Sequence, residues 1–438
     1  MERANMPWMR AILISLPFFA LSLFWQAYDY TVPLMLSQHF HLKTTAYSII
    51  MSADNIIALI FLPVFGILSD RIHCRLGRRT PVILLGTLGG IIGWLFLTKI
   101  DALAAAGHEV FLPYLAALLV SVFFMSLHRS PSAALAADCF IRPQRTKANA
   151  VLNLTGALAG VLFGLAGRRL IHHPGAALLF TDCMYFVLVI IAAATVAFFL
   201  TVREATLVAK VQQQNLYYGL IDEKTDTTDS SPTKLSATEK KSFWLILTAV
   251  FLVYMSYNGF HTHYTNYLVT YLQQPASWTG PYLLEVSAGM LMMIPAAFLT
   301  SHLGRRKCCI IGTLLCSIGY LGTSLVTPEN VNMIYLWFLI AAVGFPLFGI
   351  NLGPMILEIG KDSDAGRFMG YYYIATISAQ IVTPTLASIF INHFGYGVIG
   401  FYGAVFTLIA CVMFFPVRHG DVRPSFLHAI DDSVSDPG

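Results

Sequence analysis

Twelve apolar runs, each long enough to cross a bilayer, constrain this chain more than any motif it carries. At about 20 residues per span they fall roughly at 11–36, 46–70, 80–100, 111–137, 147–168, 178–201, 243–271, 279–302, 308–326, 332–357, 367–391 and 396–416. Lipid offers no hydrogen bonds, so runs of this length must satisfy their own backbone as helices. With 56% hydrophobic and 11% charged residues, the chain is too apolar for a soluble multidomain protein. The expected fold class is an all-α membrane protein with twelve transmembrane helices in two pseudo-symmetric six-helix halves. The first run, Ala11 to Leu36, is longer than a signal-peptide core and lacks a clear small-residue cleavage site, so it counts as a retained span.

Twelve spans put both termini on one side. Of the 27 Lys and Arg, only Lys43, Lys99, Arg168 and Arg169 fall on the opposite face, and Arg129 lies inside a span. The positive-inside rule then makes both termini cytoplasmic, in a multi-pass protein of the cell membrane. One long polar connection, with Asp222-Glu223-Lys224-Thr225-Asp226 at its centre and Pro232 beyond, separates the halves. The expected organisation is 1–201, a linker at 202–241, 242–417 and a tail at 418–438. Glu204 to Tyr218 is a candidate surface helix, and residues 222 to 238 are assigned no structure.

Two charged turns repeat. The stretch Gly66-Ile67-Leu68-Ser69-Asp70-Arg71 runs on through Ile72-His73-Cys74-Arg75-Leu76 to Gly77-Arg78-Arg79-Thr80-Pro81. Its Gly-Arg-Arg core returns as Gly304-Arg305-Arg306, followed by Lys307. Glycine permits a sharp turn between helix ends, and the arginines hold it at the headgroups. Gly66, Asp70, Arg71, Gly77, Arg78, Arg79, Arg145, Gly304, Arg305 and Arg306 form the candidate gate. Asp70 is expected to contact Arg78 or Arg145 and to face the start of run 11 near Arg367. Away from the turns, Trp25-Gln26-Ala27-Tyr28-Asp29 of run 1 has a counterpart in Tyr254-Met255-Ser256-Tyr257-Asn258 of run 7. Pro131 before Asp138 in run 4 likewise matches Pro354 before Glu358 in run 10. Parallel repeats of this kind are a transporter architecture, whose solute site lies near the midplane.

Ionisable residues inside spans need partners, water or a proton, because each costs roughly 2.5–3.5 kcal/mol on insertion scales. Asp29, Asp54, Arg129 and Glu285 are those residues here. The three carboxylates sit at similar depth, which suits a site that binds and releases protons, though each could instead brace helices by hydrogen bonding. The proton-coupling candidates are Asp29, Asp54 and Asp138. Nine residues separate Arg129 from Asp138 and put them on opposite faces of an ideal helix, so Arg142, Arg145 and Lys147 are alternative partners of Asp138. Solute-binding candidates are Trp25, Gln26, Tyr28, Asn55, Arg129, Tyr257, Asn258, His261, Glu285, Asn351, Tyr372 and Gln380. His263, Tyr371 and Tyr373 complete the polar and aromatic set. Amides and carboxylates suit sugar hydroxyls, and aromatic faces suit a sugar ring. Gly156, Gly160 and Gly164 are expected to permit close helix packing.

Several stretches belong together: Asp54-Asn55, Ser69-Asp70-Arg71 through Gly77-Arg78-Arg79-Thr80-Pro81, Arg129-Ser130-Pro131 to Asp138, Arg145-Thr146-Lys147-Ala148-Asn149-Ala150, and Gly370-Tyr371-Tyr372-Tyr373 with Ala379-Gln380. With them the chain resembles the sucrose-transporter-like branch of the major facilitator superfamily, related to glycoside/cation symporters. The resemblance spans all twelve runs. It implies the major facilitator fold, a turn that locks the inward-closed arrangement, and proton-coupled uptake of a disaccharide or other glycoside, with Asp138 as the residue protonated. The chain departs from that branch at Ala133, where plant sucrose carriers have an arginine, and has His302 where the first turn has Asp70.

The leading expectation is secondary active transport of a sugar by alternating access. Proton-driven efflux of an amphipathic small molecule and a transport-inactive membrane sensor are the alternatives. An enzyme is not expected, since no Ser/His/Asp arrangement, metal motif or phosphate loop is present. The seven cysteines have neither disulfide-framework nor zinc spacing. The partners are a small-molecule solute with H⁺, or Na⁺ in its place, and the lipid bilayer. No cofactor, metal or nucleic acid is called for, and a monomer is expected.

Overall fold

Each apolar run becomes helix, and the two charged turns become the sites where helices begin. The computed structural model describes residues 7–72, 74–172, 180–217, 235–359 and 365–421, without the side chains of Leu62, Pro63, 66–70, Ala137, Arg142, Pro143, Thr146, Ala365 and Gly366. The helices in chain order are α1 (Trp8–Gln38), α2 (Thr44–Met51), α3 (Ala53–Arg71), α4 (Thr80–Ala105), α5 (Phe111–Cys139), α6 (Arg142–Leu170) and α7 (Thr181–Thr201). Then come α8 (Glu204–Tyr217), α9 (Ala237–Asn266), α10 (Gly280–Leu303), α11 (Arg305–Thr323), α12 (Met333–Leu357), α13 (Ala365–Phe394) and α14 (Val398–Phe414). Among the described residues, ten stretches are long and apolar enough to cross a membrane. The remaining two of the twelve expected spans are α11, which opens on Arg305-Arg306-Lys307, and α14, 17 residues long. Leu112, Leu200, Leu291 and Ile294 are among the exposed apolar side chains, and in a bilayer such residues meet acyl chains at no cost.

The second run is not one helix. It breaks at Ser52, whose Oγ donates to the Ser48 carbonyl at 3.0 Å, while Ser48 Oγ donates to the Thr44 carbonyl at 2.6 Å. Hydroxyls bonding back onto their own helix bend it, and α3 restarts with Asp54 in its first turn. The seventh run ends in a π-helical turn, Tyr267–Tyr271, beyond α9. The candidate surface helix appears as α8.

The chain divides into two compact units, Met1–Glu223 with Tyr264–Leu283, and Lys224–His263 with Leu284–Gly438. In the first unit the 264–283 segment is held by side chains: Tyr30 Oη donates to the Ala276 carbonyl at 2.8 Å, and Thr279 Oγ1 to the Gly164 carbonyl at 2.6 Å. Gly164 makes room there for Leu283, and Gly156 for Phe18 and Ser22 of α1. Both glycines thus serve helix packing.

Within each unit the third span packs along the fourth and the sixth: α4 against α5 and α7, and α11 against α12 and α14. Glycine makes the first of these contacts close in both. A Cβ on Gly86 would sit 3.0 Å from the His128 amide nitrogen, and one on Gly312 would sit 2.6 Å from the Gly344 carbonyl oxygen. The Gly312 and Gly344 backbones cross directly, since a Cβ on Gly344 would lie 2.6 Å from the Gly312 oxygen in turn. Backbone cannot yield as a side chain does, so Gly312→Ala and Gly344→Ala should each cost about 1–3 kcal/mol by overpacking. Gly353→Ala, whose nearest neighbour is Met369 Cε at 4.0 Å, should not. Thermal unfolding of the detergent-purified variants checks this, and equal stability of all three contradicts the backbone crossing.

Candidate functional site

The Gly-Arg-Arg turns are built alike in the two units. Gly77 (φ +106°) and Gly304 (φ +88°) adopt backbone angles that side chains resist, and each precedes the start of a third span. In the first unit the carboxylate of Glu204, fully buried at the start of α8, receives the exposed amides of that start. Arg78 N lies 3.0 Å from Oε1, Arg79 N 2.9 Å from Oε1, Thr80 N 2.7 Å from Oε2, and Thr80 Oγ1 donates to Oε2 at 2.7 Å. Glu204 thus acts as a helix cap supplied from far along the chain, placed at the positive end of the α4 dipole. In the second unit Asp421 takes this position, accepting from the Arg306 amide at 2.8 Å.

The arginine side chains reach the ends of the fourth spans. Arg78 Nη2 meets Asp138 Oδ1 at 2.8 Å and Arg79 Nε meets Oδ2 at 2.9 Å, while Arg305 pairs with Glu358. Asp138 is therefore paired neither with Arg129 nor with Arg145, whose Nε donates to the Phe140 carbonyl at 3.3 Å. The reason is local. α5 stays helical through Pro131 to Cys139, so Arg129 and Asp138 keep opposite faces, and the turn arginines arrive from the side. The side chains of Gly66 and Asp70 lie outside the described residues, and Arg71 is exposed at the end of α3. Arg367 lies over the Phe368 ring, 5.4 Å from its centroid.

Inside the first unit, Asp54 lies in electrostatic range of both Asp29 and Arg129. The amides of Asp54 and Asn55 at the α3 restart are directed at its carboxylate, and Asn55 Nδ2 donates to Oδ1 at 2.7 Å. Between Ala20 and Leu36 of α1 the accessible residues are Ser22, Trp25, Gln26 and Asp29, spaced as one helical stripe, with Asp29 the most open of the four. A carboxylate exposed in mid-span does not face lipid, so this stripe faces water.

In the second unit, α9 carries a stripe of the same spacing, Tyr254, Tyr257, Asn258 and His261. Matching accessible faces, Trp25 corresponds to Tyr257, Gln26 to Asn258 and Asp29 to His261. This register is three residues away from the match of Trp25 with Tyr254 drawn from residue order alone. Tyr28 explains the difference, for it is buried (1% exposed) against Phe24 and Trp25 and points away from the stripe. His261 Nε2 lies 3.3 Å from Glu285 Oε1, and Tyr254 Oη meets Tyr372 Oη at 3.3 Å. Asn258 Nδ2 donates to the Tyr254 carbonyl at 2.7 Å, and Gln380 is half-buried on α13. Asn351 is a brace: 2% exposed, it donates to Thr300 Oγ1 at 2.9 Å and to the Leu347 carbonyl at 2.7 Å. His263 likewise is buried, with Nε2 3.1 Å from the Pro384 carbonyl.

Residue-level reasoning missed Glu204 and Asp421 as caps. The signal was a shared Val-Arg pair, Val202-Arg203 before Glu204 and Val417-Arg418 before Asp421, directly after the sixth and twelfth spans. Among the described residues no group of three His, Cys, Asp or Glu could hold a metal ion.

By sequence, the profile of the Major Facilitator Superfamily matches residues 14–298 and 282–427. Comparison with curated proteins yields no significant match. Among solved structures the chain is similar to a D-xylose-proton symporter, with a TM-score of 0.70 at 15% identity over 95% of this chain and 99% of that one. It is also similar to a bacterial homologue of the iron transporter ferroportin in an inward-facing state (TM-score 0.68, 17% identity, 94% and 99% covered). A third likeness is to a POT family transporter in complex with 5-aminolevulinic acid (TM-score 0.69, 11% identity, 100% and 98% covered). At these identities the likeness is one of fold.

The caps differ in burial and in bond number, which orders their contributions. Glu204→Ala leaves buried amides without an acceptor and should cost about 1.5–3 kcal/mol or more, as hydrogen bonds to charged groups do. Asp421→Ala, at an exposed site, should cost less. Thermal unfolding of both variants tests the order, and a larger loss for Asp421→Ala would contradict it.

Proposed function

The chain belongs to the major facilitator superfamily, a transporter family, and on that ground we propose that it is a proton-coupled symporter of a sugar, a disaccharide or other glycoside, working by alternating access. The observation that carries this reading is the neighbourhood of Asp54, whose carboxylate lies in the field of a second carboxylate, Asp29, and of one guanidinium, Arg129. When both carboxylates are ionised they repel each other, and one proton relieves the repulsion. Charge in a span is costly, so a neutral solute moves with the proton on and the site returns with the proton exchanged. The neighbouring stripe of Trp25 and Gln26 offers a ring face and an amide, the pairing that suits a sugar. The likeness in fold to a D-xylose-proton symporter is consistent with this.

Asp54 and Asp29 carry the coupling in this reading, and Asp138 belongs to the gate because Arg78 and Arg79 both engage it. The protein is placed in the cell membrane as a monomer with both termini cytoplasmic, and 202–241 links the halves. The second reading, proton-driven efflux of an amphipathic molecule, draws on the aromatic lining of Tyr254, Tyr257, Phe345 and Tyr372.

Asparagine keeps size and hydrogen bonding but removes titration, so it separates coupling from binding. In proteoliposomes, Asp54→Asn or Asp29→Asn should retain sugar counterflow and lose accumulation driven by an imposed pH gradient, whereas Asp138→Asn should retain accumulation per folded protein. Accumulation at wild-type levels in all three would remove the proton from the mechanism. Accumulation that follows a Na⁺ gradient instead would replace the coupling ion. Extrusion of the solute would favour the second reading.

A further inference from the structure

The first unit holds a cation with no anion bound to it. Arg129 is half-buried on α5, ten residues before that helix ends at Cys139 and so about 15 Å inside it. Among the described residues its guanidinium makes no hydrogen bond or ion pair, and Asp54 lies in its field without touching it. Other acids of the unit are engaged elsewhere. Asp138 meets Arg78 and Arg79, Glu204 caps α4, Asp101 Oδ1 lies 2.6 Å from His39 Nδ1, and Asp182 Oδ2 lies 3.0 Å from His172 Nε2. His128, one residue before Arg129, is fully buried against α4, where a Cβ on Gly86 would sit 2.8 Å from the His128 Cβ. One residue turns a helix by about 100°, so Arg129 leaves that contact, and α3, which carries Asp54, packs along α5. An open guanidinium at this depth does not face acyl chains. It faces water, and a cation held there without a protein partner is a place for an anion.

We infer that Arg129 anchors a carboxylate of the solute, so that the glycoside carried is an acidic one, a uronic acid or a glycuronide. This rests on the sugar reading above and names the class of sugar within it. A guanidinium presents parallel N–H donors that match the two oxygens of a carboxylate. The bound pair is neutral, so the solute crosses with its own charge met. One guanidinium matches one charge. A phosphate dianion brings a second, and the groups next in range, Asp29 and Asp54, repel it. A sugar with hydroxyls alone leaves the guanidinium to water, as it is without solute. The carboxylate on Arg129 also occupies the cation that Asp54 otherwise faces, which links binding to the acid pair: with Arg129 matched, the charge of Asp29 and Asp54 is met by the proton.

The test uses the full chain in proteoliposomes with labelled probes of matched shape: methyl glucuronide and methyl galacturonide, their uncharged methyl esters, and the corresponding methyl glucoside and galactoside. Glucose 6-phosphate and N-acetylalanine complete the panel. The wild type should take an acid with a KM roughly 10- to 100-fold below that of its ester. Arg129→Gln should bring the two within about threefold of each other, and Arg129→Lys, which keeps the charge and loses the fork, should retain an intermediate preference. The same order should appear as a ligand-induced rise in unfolding temperature, present for the acid on the wild type and absent on Arg129→Gln. A residue that only tuned Asp54 or braced α5 would shift coupling or stability and leave the ratio of acid to ester unchanged. Esters or neutral glycosides taken as well as the acids by the wild type, or a preference that survives in Arg129→Gln, overturn the anchor and leave the sugar reading standing. Glucose 6-phosphate preferred over both acids overturns the carboxylate in the same way. Where Arg129→Gln does not fold, wild type and Arg129→Lys decide alone, and equal preference in the two overturns the anchor. If N-acetylalanine is carried and no sugar is, the sugar reading fails. The anchor then stands only if that uptake falls at least tenfold further in Arg129→Gln than in Arg129→Lys; otherwise it falls too. A wild type that moves none of the panel overturns both.

Discussion

Everything at one end of the helices of each half depends on carboxylates held at the starts of α4 and α11. A helix start exposes amide hydrogens with no partner in their own helix, and at a membrane surface they compete for water and headgroups. The chain answers with an acid from after the last span of the same half. Glu204 meets the amides of Arg78, Arg79 and Thr80, and Asp421 meets that of Arg306. A second acid at the end of the fourth span, Asp138 or Glu358, takes the arginine side chains that follow the turning glycine. The third, fourth and sixth spans of a half are thereby tied together at one end, while glycine contacts tie the third and fourth along their length. Moving any one of these spans at that end disturbs charged hydrogen bonds in the other two, which is the property a gate requires.

The spans were legible because length and hydropathy decide them with little help from context. The repeat was legible for a related reason: Gly77-Arg78-Arg79 and Gly304-Arg305-Arg306 are local, and a positive φ before a helix start demands glycine in both. What depended on partners distant in sequence was harder to read. Glu204 looks like an ordinary first residue of an amphipathic helix until the turn 126 residues earlier is placed on it. Asp138 had basic neighbours in sequence, yet the arginines that meet it, Arg78 and Arg79, come from the turn before α4. The register of α1 against α9 failed for a geometric reason. Residue order matches tyrosine to tyrosine, but a helix shows its neighbours every third and fourth residue, and only burial tells that Tyr28 faces inward while Tyr257 does not.

The break at Ser52 bears most directly on the candidate site. Hydropathy sees one run there, and neither Ser48 nor Ser52 is a strong breaker; the interruption is accompanied by two small hydroxyls bonding back in succession. Its consequence is a helix start in mid-span, with free amides and the positive end of a dipole. Asp54 occupies that start and takes the amides itself. A carboxylate held there keeps its place through backbone bonds that do not involve Arg129. Asp29, on a continuous helix, has no dipole end to face.

This difference gives the two carboxylates different parts. Asp54 is fixed by backbone amides and by Asn55, so its position changes little when its charge does. Asp29 sits on the open stripe beside Trp25 and Gln26, where an arriving solute displaces water first. Binding therefore alters the surroundings of Asp29 more than those of Asp54, and the two remain linked because each lies in the field of the other. In the symport reading proposed above, a solute that dehydrates Asp29 makes its charge more costly and draws a proton into the pair. In the second unit the position of Asp29 is held by His261, whose Nε2 lies 3.3 Å from Glu285 Oε1. The asymmetry between the two stripes, a carboxylate on one and an imidazole beside a carboxylate on the other, follows from single residues at matched positions of an otherwise repeated frame.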